Sequence, residues 1–210
     1  MRQPPAESSK QHWDAIYARK SDAQVSWFEE LPRSSLDFIA RTGMKPGAAI
    51  IDVGGGRSRL IDALLDAGHH RLSVLDISGN ALASARERLG ARAARVQWLE
   101  ADILSAELPA HGFDVWHDRA VFHFLTGADQ RSRYVETLYA TLKADGQAVI
   151  ATFGPAGPLR CSGCDVVRYS AASLSATLGS RFQLLEQQIE IHHTPFGTTQ
   201  QFLFCRFAKH

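Results

Sequence analysis

The stretch IIDVGGGRSRL, residues 50–60, joins an apolar run to three consecutive glycines and the start of an amphipathic segment. Its first four residues are typical of a short buried strand, and RLIDALLDAG (residues 59–68) is typical of a helix with one apolar face. Glycines between the two allow positive φ and a close approach of backbone to ligand, and a strand-to-helix turn presents free N–H groups. The stretch therefore predicts either a ligand-binding turn or an ordinary tight turn.

The alternation of strand and helix continues along the chain. Further strands are predicted at residues 71–78, 95–103, 113–120 and 147–153, and further helices at residues 81–90, 129–146 and 170–179. Such alternation indicates a parallel, doubly wound α/β sheet with helices on both faces. The last two runs, residues 182–195 and 198–209, are joined by a short Pro/Gly connection and predict an antiparallel hairpin at the sheet edge. We expect a single domain over residues 1–210.

Composition excludes several function classes. The 210 residues are 45% hydrophobic and 21% charged, with a formal net charge of +1. This near-neutral balance provides no field to attract nucleic acid or anionic lipid, and no apolar run approaches the roughly 20 residues of a membrane helix. Three cysteines and no secretory signal indicate reduced thiols in the cytoplasm. Composition does not indicate the oligomeric state.

Two acidic residues close the strands that follow the glycine turn. Asp76 ends the strand in RLSVLDIS, and Asp102 ends the next in LEADI. An acid about 20 residues beyond such glycines is placed to accept hydrogen bonds from ribose hydroxyls. Arg59 occupies the third glycine position of the dinucleotide fingerprint, which disfavours a nicotinamide-dependent oxidoreductase. A carboxylate-lined crevice without a phosphate loop suits a ligand with ribose, adenine and positive charge, as in S-adenosylmethionine.

The segments DVGGGRS, VLDIS, EADI and FDVWHDRAVFHFL, in this order, resemble the successive motifs of class I S-adenosylmethionine-dependent methyltransferases. The resemblance covers about residues 46–153. It implies a Rossmann-like, seven-stranded, mostly parallel sheet of order 3-2-1-4-5-7-6, whose last strand is antiparallel. The opening HWDAIYARK and VSWF are similar to a subgroup that includes lysine methyltransferases acting on an elongation factor and on citrate synthase.

The resemblance also implies a cofactor site. Asp76 would hold the ribose hydroxyls, Ile77 would pack on adenine, and Asp102 would accept from the adenine amino group. Three aromatic residues of an N-terminal helical segment, residues 1–45, would cover the cofactor; alternatively, they pin that segment to the core. Ser58 stands where many members have a third glycine. The implied cofactor residues are Trp13, Tyr17, Trp27, Gly54, Gly56, Ser58, Asp76, Ile77, Asp102, Ile103 and Arg119.

Methyl transfer is an in-line displacement at a sulfonium, so the protein mainly positions the two partners. A base is needed only when the acceptor carries a proton. The candidates are Asp118 and His117, at the end of the fourth predicted strand, which we expect to reach the crevice together with Arg119. His123, four residues beyond Arg119, is expected in the core. A zinc site on these histidines is disfavoured, because HExxH is absent and a dication would repel the sulfonium. We therefore predict no metal.

The loop RCSGCDVVRY contains a Cys161-x-x-Cys164 pair. It could be a pair of reduced thiols, a holder for a soft acceptor such as arsenite, tellurite or selenite, or half of a structural zinc site. The zinc site would need Cys205 and the pair His192-His193 to fold back over the loop.

The sequence therefore predicts an S-adenosylmethionine-dependent methyltransferase that acts on a small molecule or a protein side chain. A protein-lysine methyltransferase and a non-catalytic S-adenosylmethionine-binding module are the alternatives.

Overall fold

The computed structural model describes the backbone from residue 6 to residue 210 and the side chains from residue 9 onward. The strands are β1 Ala49–Val53, β2 Arg71–Asp76, β3 Val96–Glu100, β4 Phe113–Arg119, β5 Leu142–Phe153, β6 Arg160–Cys161, β7 Cys164–Asp165, β8 Phe182–His193 and β9 Thr199–Lys209. The α-helices are α1 Ala6–Arg19, α2 Arg33–Ala40, α3 Leu60–Asp66, α4 Gly79–Leu89, α5 Ala128–Thr141 and α6 Ala171–Leu178. None of these described helices is long and apolar enough to cross a membrane.

Seven strands form one sheet in the order β3-β2-β1-β4-β5-β9-β8. The pairs from β3 to β5 are parallel, whereas β9 runs antiparallel to both β5 and β8. Because β8 and β9 are the sixth and seventh long strands, this is the predicted order 3-2-1-4-5-7-6, and the Rossmann-like fold is confirmed. The short strands β6 and β7 form a separate hairpin after β5.

Both faces of the sheet are covered by helices. On one face, Tyr134 and Leu138 of α5 and Leu174 of α6 pack in a core with Ile51 of β1. On the other face, the side chains of α2, α3 and α4 pack against the alternate residues of the same strands, such as Ile50. Every residue of β1 is buried. A strand buried on both faces has apolar residues without alternation, which explains the continuous run that precedes the glycines.

The boundary between α5 and β5 differs from the prediction. The helix ends at Thr141 instead of Gly146, and the strand begins at Leu142 instead of Gln147. Leu142 is fully buried and pairs with Phe113 at the start of β4, and a register shift follows before Gln147. Burial of Leu142 in the sheet core thus overrides the helical pattern of these residues.

Helix α1 lies across the carboxyl ends of the central strands. Asp14 accepts a hydrogen bond of 2.6 Å from the Ser78 hydroxyl, at the start of α4. Lys10 lies 2.8 Å from Glu100, the last residue of β3. A turn at residues 22–24 and an extended segment then lead to α2. This placement brings the N-terminal aromatic residues over the edge of the sheet to which the predicted ligand-binding acids belong.

The turn after β1 has no room for a side chain at Gly54. Its φ is +67°, and a Cβ there would lie 2.0 Å from Cγ2 of Val121, in the turn after β4. The backbone N–H of Gly54 donates to the carbonyl of Leu75 on β2, at 2.7 Å. The glycine therefore allows the turns after β1 and β4 to touch, which draws the ends of neighbouring strands together.

We predict that Gly54→Ala destabilises the protein more than Gly43→Ala. Gly43 has a similar φ of +72° but nothing within 4 Å of its added Cβ. Gly43→Ala should cost about 1–2 kcal/mol, the cost of a left-handed backbone for an L-residue. Gly54→Ala should add about 1–3 kcal/mol because of the overlap with Val121. Urea unfolding of both variants measures the difference, and equal losses would contradict the close contact.

Candidate functional site

A cavity of about 220 Å³, here called the main cavity, opens at the carboxyl ends of the parallel strands, beneath α1. It extends from the ends of β2 and β3, here called the acid end, to the loops after β4 and β5 and the strand β9, here called the cysteine end. Nine of the predicted cofactor residues line it: Trp13, Tyr17, Trp27, Gly54, Asp76, Ile77, Asp102, Ile103 and Arg119. The cysteine end is lined by Phe124, Phe153, Cys161, Cys164 and Phe202.

Two carboxylates lie at the acid end. Asp76 is only 5% exposed, and one of its oxygens accepts from the backbone N–H of Ser78 at 2.8 Å. Burial raises the pKa of Asp76 to about 7, against the opposing effect of the Ser78 hydrogen bond. Asp102 is half-buried and accepts from the backbone N–H of Leu104 at 2.9 Å. Asp76 therefore changes its charge near neutral pH, within the cavity wall.

Aromatic rings from α1 and the segment after it cover the cavity. Trp13 packs edge-on against Trp27 and Phe124, with ring centroids 5.9 and 5.2 Å apart. Tyr17 lies 6.3 Å from Trp27. The same rings line the cavity. They thus form an aromatic cluster that attaches the N-terminal segment to the loop after β4 and also forms one wall of the cavity.

Arg119 is the cation of the cavity wall. One of its terminal nitrogens, Nη1, donates to the carbonyl of Trp27 at 2.9 Å, and Nε lies 3.3 Å from Glu29. The guanidinium carbon lies 4.5 Å from the ring centre of Phe202. The other terminal nitrogen, Nη2, is buried and has no hydrogen-bond partner among the described residues. Arg119 therefore has a donor available for an anionic ligand group.

Gly56 and Ser58 occupy the glycine turn outside the main cavity. A Cβ at Gly56 would lie 2.9 Å from the Tyr17 hydroxyl and 3.0 Å from Asp76, so the turn packs directly under these residues. Ser58 is exposed, and its hydroxyl accepts from the backbone N–H of Leu60 at the start of α3, at 3.1 Å. Ser58 lines a second, smaller cavity of about 50 Å³. These two residues support the turn around the main cavity.

The expectation that His117 reaches the main cavity is wrong. His117 is 2% exposed, and its ring nitrogens bond to Asp52 on β1 at 2.7 Å and to Ser35 of α2 at 2.9 Å. It lines the smaller cavity instead, on the side of the sheet covered by α2. Its ring thus connects α2 to two strands.

The expectation that Asp118 reaches the main cavity is also wrong. Asp118 is 0% exposed and accepts from the Tyr134 hydroxyl at 2.5 Å and from the backbone N–H groups of Val121 and Phe122 at 2.9 and 3.2 Å. Neighbouring residues of a strand point to opposite faces, so Asp118 turns toward α5 while Arg119 turns toward the cavity. Burial raises the pKa of Asp118 to about 6, although the hydrogen bond from Tyr134 lowers it.

His123 lies in the core, as expected. Its ring accepts a hydrogen bond from the backbone N–H of Phe153 at 3.1 Å and packs 4.4 Å from the ring of that residue. Burial lowers the pKa of His123 to about 3, so the ring is neutral. No local sequence pattern indicated the other rings of the cysteine end. Phe202, for example, reaches the cavity only because β9 inserts beside β5.

The two cysteines of the loop lie directly opposite each other in the hairpin of β6 and β7. Ser162 and Gly163 between them both have positive φ, as in the type I′ turn that joins two-residue hairpins. Both thiols are free and line the cavity, and the Cys164 sulfur lies 3.5 Å from Nε2 of His12. Burial raises the pKa of both, so they are neutral thiols at neutral pH.

The proposed four-ligand zinc set is wrong. Cys205 belongs to β9 and is buried in the core beneath α5 and α6, whereas Cys161 is buried in the core on the opposite face of the sheet. His192 bonds to the carbonyl of Ser26, at 2.8 Å. The sheet thus separates the thiols that such a site would need to bring together.

Comparison with known proteins agrees with this geometry. The model of a family described as a methyltransferase domain matches residues 50–146. A structure solved in work on the conversion of a disulfide bond into a thioacetal group during echinomycin biosynthesis has a TM-score of 0.79 at 18% identity, over 96% of this chain and 93% of that chain. No curated protein matches the chain in sequence.

Two further solved structures share the fold. The 1,6-didemethyltoxoflavin-N1-methyltransferase of Burkholderia thailandensis, solved with bound 1,6-didemethyltoxoflavin and S-adenosylhomocysteine, has a TM-score of 0.73 at 19% identity, over 100% of this chain and 91% of that chain. An S-adenosylmethionine-dependent methyltransferase of Anabaena variabilis has a TM-score of 0.77 at 16% identity, over 100% and 96%. At these identities the likeness shows the fold alone.

We predict that Tyr134→Phe lowers stability by about 1–3 kcal/mol, the cost of depriving a buried acceptor of its donor. The loss should be larger at pH 8 than at pH 5, because Asp118, with a pKa of about 6, carries its charge only at the higher pH. Urea unfolding at both pH values measures it. The control is Tyr139→Phe in the same helix, where the ring packs against Arg181 and Lys209. An equal loss at both pH values would contradict the role of the Asp118 charge.

Proposed function

This chain is a class I S-adenosylmethionine-dependent methyltransferase, and on that premise we propose that it methylates a small-molecule acceptor bound at the cysteine end of the main cavity. The predictions of methyltransferase activity and of S-adenosylmethionine as cofactor are confirmed. The identity of the acceptor is the proposal.

The cover over the cavity is the observation that supports a small-molecule acceptor. Helix α1 and the rings of Trp13, Tyr17 and Trp27 cover it, and Arg119 ties the segment after α1 to the sheet. This cover favours a small acceptor, because a lysine side chain of a folded protein would have to reach past it to the cavity. The alternative of a protein-lysine methyltransferase is supported only by the similarity of HWDAIYARK and VSWF to that subgroup.

For the cofactor we propose the arrangement that the resemblance implies. Asp76 would accept from the ribose hydroxyls, and Asp102 from the adenine amino group, with Ile77 and Ile103 packed on the adenine. The methionine portion would follow the turn of Gly54 and Gly56, which Ser58 supports. Arg119 would hold the methionine carboxylate with its free Nη2 donor, which supports this assignment.

We also propose that residues 1–210 form one domain and that residues 1–45 cover the cofactor, with Trp13, Tyr17 and Trp27 as the covering rings. The contacts of Asp14 with Ser78 and of Arg119 with Trp27 support this for the described part of that segment. Residues 1–5 lie outside the described residues. Three free cysteines support the cytoplasm as its location, and the net charge of +1 supports an acceptor other than nucleic acid.

The assignment of Asp118 and His117 as catalytic residues stays a prediction. Their contacts favour a positioning role, because each is buried and bonded to protein groups: Asp118 to Tyr134 and to the turn after β4, His117 to Asp52 and Ser35. We propose that the reaction depends on orientation of the methyl group toward the acceptor, which by itself can supply about 7–11 kcal/mol. A soft acceptor held by Cys161 and Cys164 stays a hypothesis, supported by the position of both thiols in the cavity wall.

The test of the proposed function follows labelled methyl groups from S-adenosylmethionine into a cell extract of the source organism, separated afterwards by size. We expect label in the small-molecule fraction and release of S-adenosylhomocysteine. Asp76→Ala serves as the control with weakened cofactor binding. Label in lysines of a protein would favour the lysine methyltransferase alternative. S-adenosylhomocysteine no higher than with heat-denatured protein would indicate a non-catalytic binding module.

We predict that the affinity for S-adenosylhomocysteine falls as the pH falls below 7. Asp76, with a pKa of about 7, accepts fully from ribose hydroxyls only when ionised. One pH unit below the pKa about a tenth of the carboxyl groups remain ionised, so the loss approaches about tenfold at pH 6. Asp76→Asn should bind weakly with a flatter pH profile, measured by calorimetry. Asp66→Asn, an exposed acid paired with Arg92, should keep the wild-type profile.

A further inference from the structure

A cluster of two carboxylates and one imidazole lies outside the main cavity. Oxygen atoms of Glu29 and Glu190 and a ring nitrogen of His192 all lie within 4.8 Å of one another. Glu190 and His192 are two residues apart on β8, so their side chains share one face of the sheet. Glu29 comes from the segment that leads to α2. The three groups thus converge from two distant parts of the chain.

The ring of His192 is oriented as in a metal-binding histidine. His192 is 6% exposed, and its Nε2 donates to the backbone carbonyl of Ser26 at 2.8 Å. A carbonyl only accepts, so Nε2 carries a proton, as the second nitrogen of a metal-bound histidine usually does, and Nδ1 is the ring nitrogen directed toward the carboxylates. Nδ1 lies 3.7 Å from Oε1 of Glu29, beyond hydrogen-bond distance. Nδ1 therefore faces a carboxylate oxygen at a separation that a shared metal ion can bridge.

The two carboxylates complete the donor set. Oε1 of Glu190 is buried and has no hydrogen-bond partner among the described residues. A buried carboxylate oxygen without a partner is costly, and metal coordination is one way to satisfy it. Glu29 faces Arg119 with its other oxygen, 3.3 Å from Nε. Its Oε1 is thus directed toward His192 while Arg119 holds the rest of the carboxylate in place.

We propose that Glu29, Glu190 and His192 bind a divalent transition metal, with zinc as the best match. One imidazole nitrogen and two carboxylate oxygens suit zinc, which takes such ligands at about 2.0–2.2 Å and accepts water as a fourth. Magnesium and calcium prefer sets made only of oxygen. The three ligands are absent from the described residues that line the main cavity, so the ion does not occupy the methyl-donor site.

The site would tie the cavity cover to the edge of the sheet. Glu29 is two residues beyond Trp27, which lines the main cavity, and β8 is the outermost strand of its side of the sheet. A metal that joins Glu29 to β8 would hold this segment closed. Stabilisation of the fold by zinc is independent of the proposed function, whereas tighter cofactor binding in the presence of zinc rests on the proposed covering role of Trp27.

The test is zinc binding to the full chain after treatment with a chelator, measured by calorimetry and by metal analysis after dialysis. We expect one zinc per chain and a higher melting temperature with zinc. His192→Ala and Glu190→Gln should each weaken binding, by about 100-fold or more, since even supporting partners of metal ligands are worth about 10–100-fold. His193→Ala, the exposed neighbour on the opposite face, should bind zinc as the wild type does.

X-ray absorption at the zinc edge identifies the ligand atoms in the wild-type chain, so this result does not depend on whether the variants fold. We expect nitrogen and oxygen neighbours only, and the same spectrum from a variant with Cys161→Ser and Cys164→Ser. Sulfur neighbours would assign the ion to the cysteine hairpin and overturn the proposal, as would a wild-type chain that retains no zinc. Cofactor affinity, measured separately with S-adenosylhomocysteine, distinguishes failure of the metal site from failure of the proposed function.

Discussion

The buried carboxylate of Asp118 is the interaction on which the shape of the site depends. A charge without solvent is costly, and this one is compensated by the hydroxyl of Tyr134 and by two backbone N–H groups of the turn that follows β4. These bonds lock the turn against α5 and hold Val121 in contact with the glycine turn after β1 at Gly54. Two neighbouring strand ends are thereby fixed side by side, and the cavity opens between them and the acids of β2 and β3.

The cover over this cavity is held by polar contacts at both of its ends. Asp14 of α1 bonds to Ser78, and Arg119 of β4 bonds to the carbonyl of Trp27. Between them, Arg57 of the glycine turn lies 3.0 Å from Asp22. Each of these contacts connects the cover to the end of a different strand or to the glycine turn, so together they define its position.

The sequence indicates the acid end better than the cysteine end for a physical reason. In a parallel sheet, residues at or just beyond the end of a strand lie at the carboxyl edge regardless of what packs beside them, so the positions of Asp76, the last residue of β2, and Asp102, two residues beyond β3, were predictable from strand pattern alone. His117 and Asp118 were not, because the face to which a strand residue points depends on a register that a single sequence leaves open. Their partners, Ser35 and Tyr134, lie on helices whose packing the local pattern does not specify.

Two further features show what local sequence pattern determines and what tertiary contacts determine: the end of α5, and the cysteine hairpin. Leu142 fits a helix by its neighbours but enters β5, because Phe113 across the sheet gives it a fully buried place. Cys161 and Cys164 were identifiable as a pair, and the turn of Ser162 and Gly163 makes them face each other.

The distribution of charge in the cavity favours a reaction that depends mainly on how the methyl donor and the acceptor are oriented. The carboxylates gather at the acid end, while the cysteine end has neutral thiols, phenylalanine rings and the guanidinium of Arg119. A sulfonium is already a good leaving group, so displacement requires mainly an acceptor lone pair on the line of the departing bond. Aromatic rings line the cysteine end, and neither of its neutral thiols is placed to act as a base, so under the proposed function the acceptor would supply its own electron pair. The enclosing cover and the buried supports of its strand ends are the features that such a reaction needs.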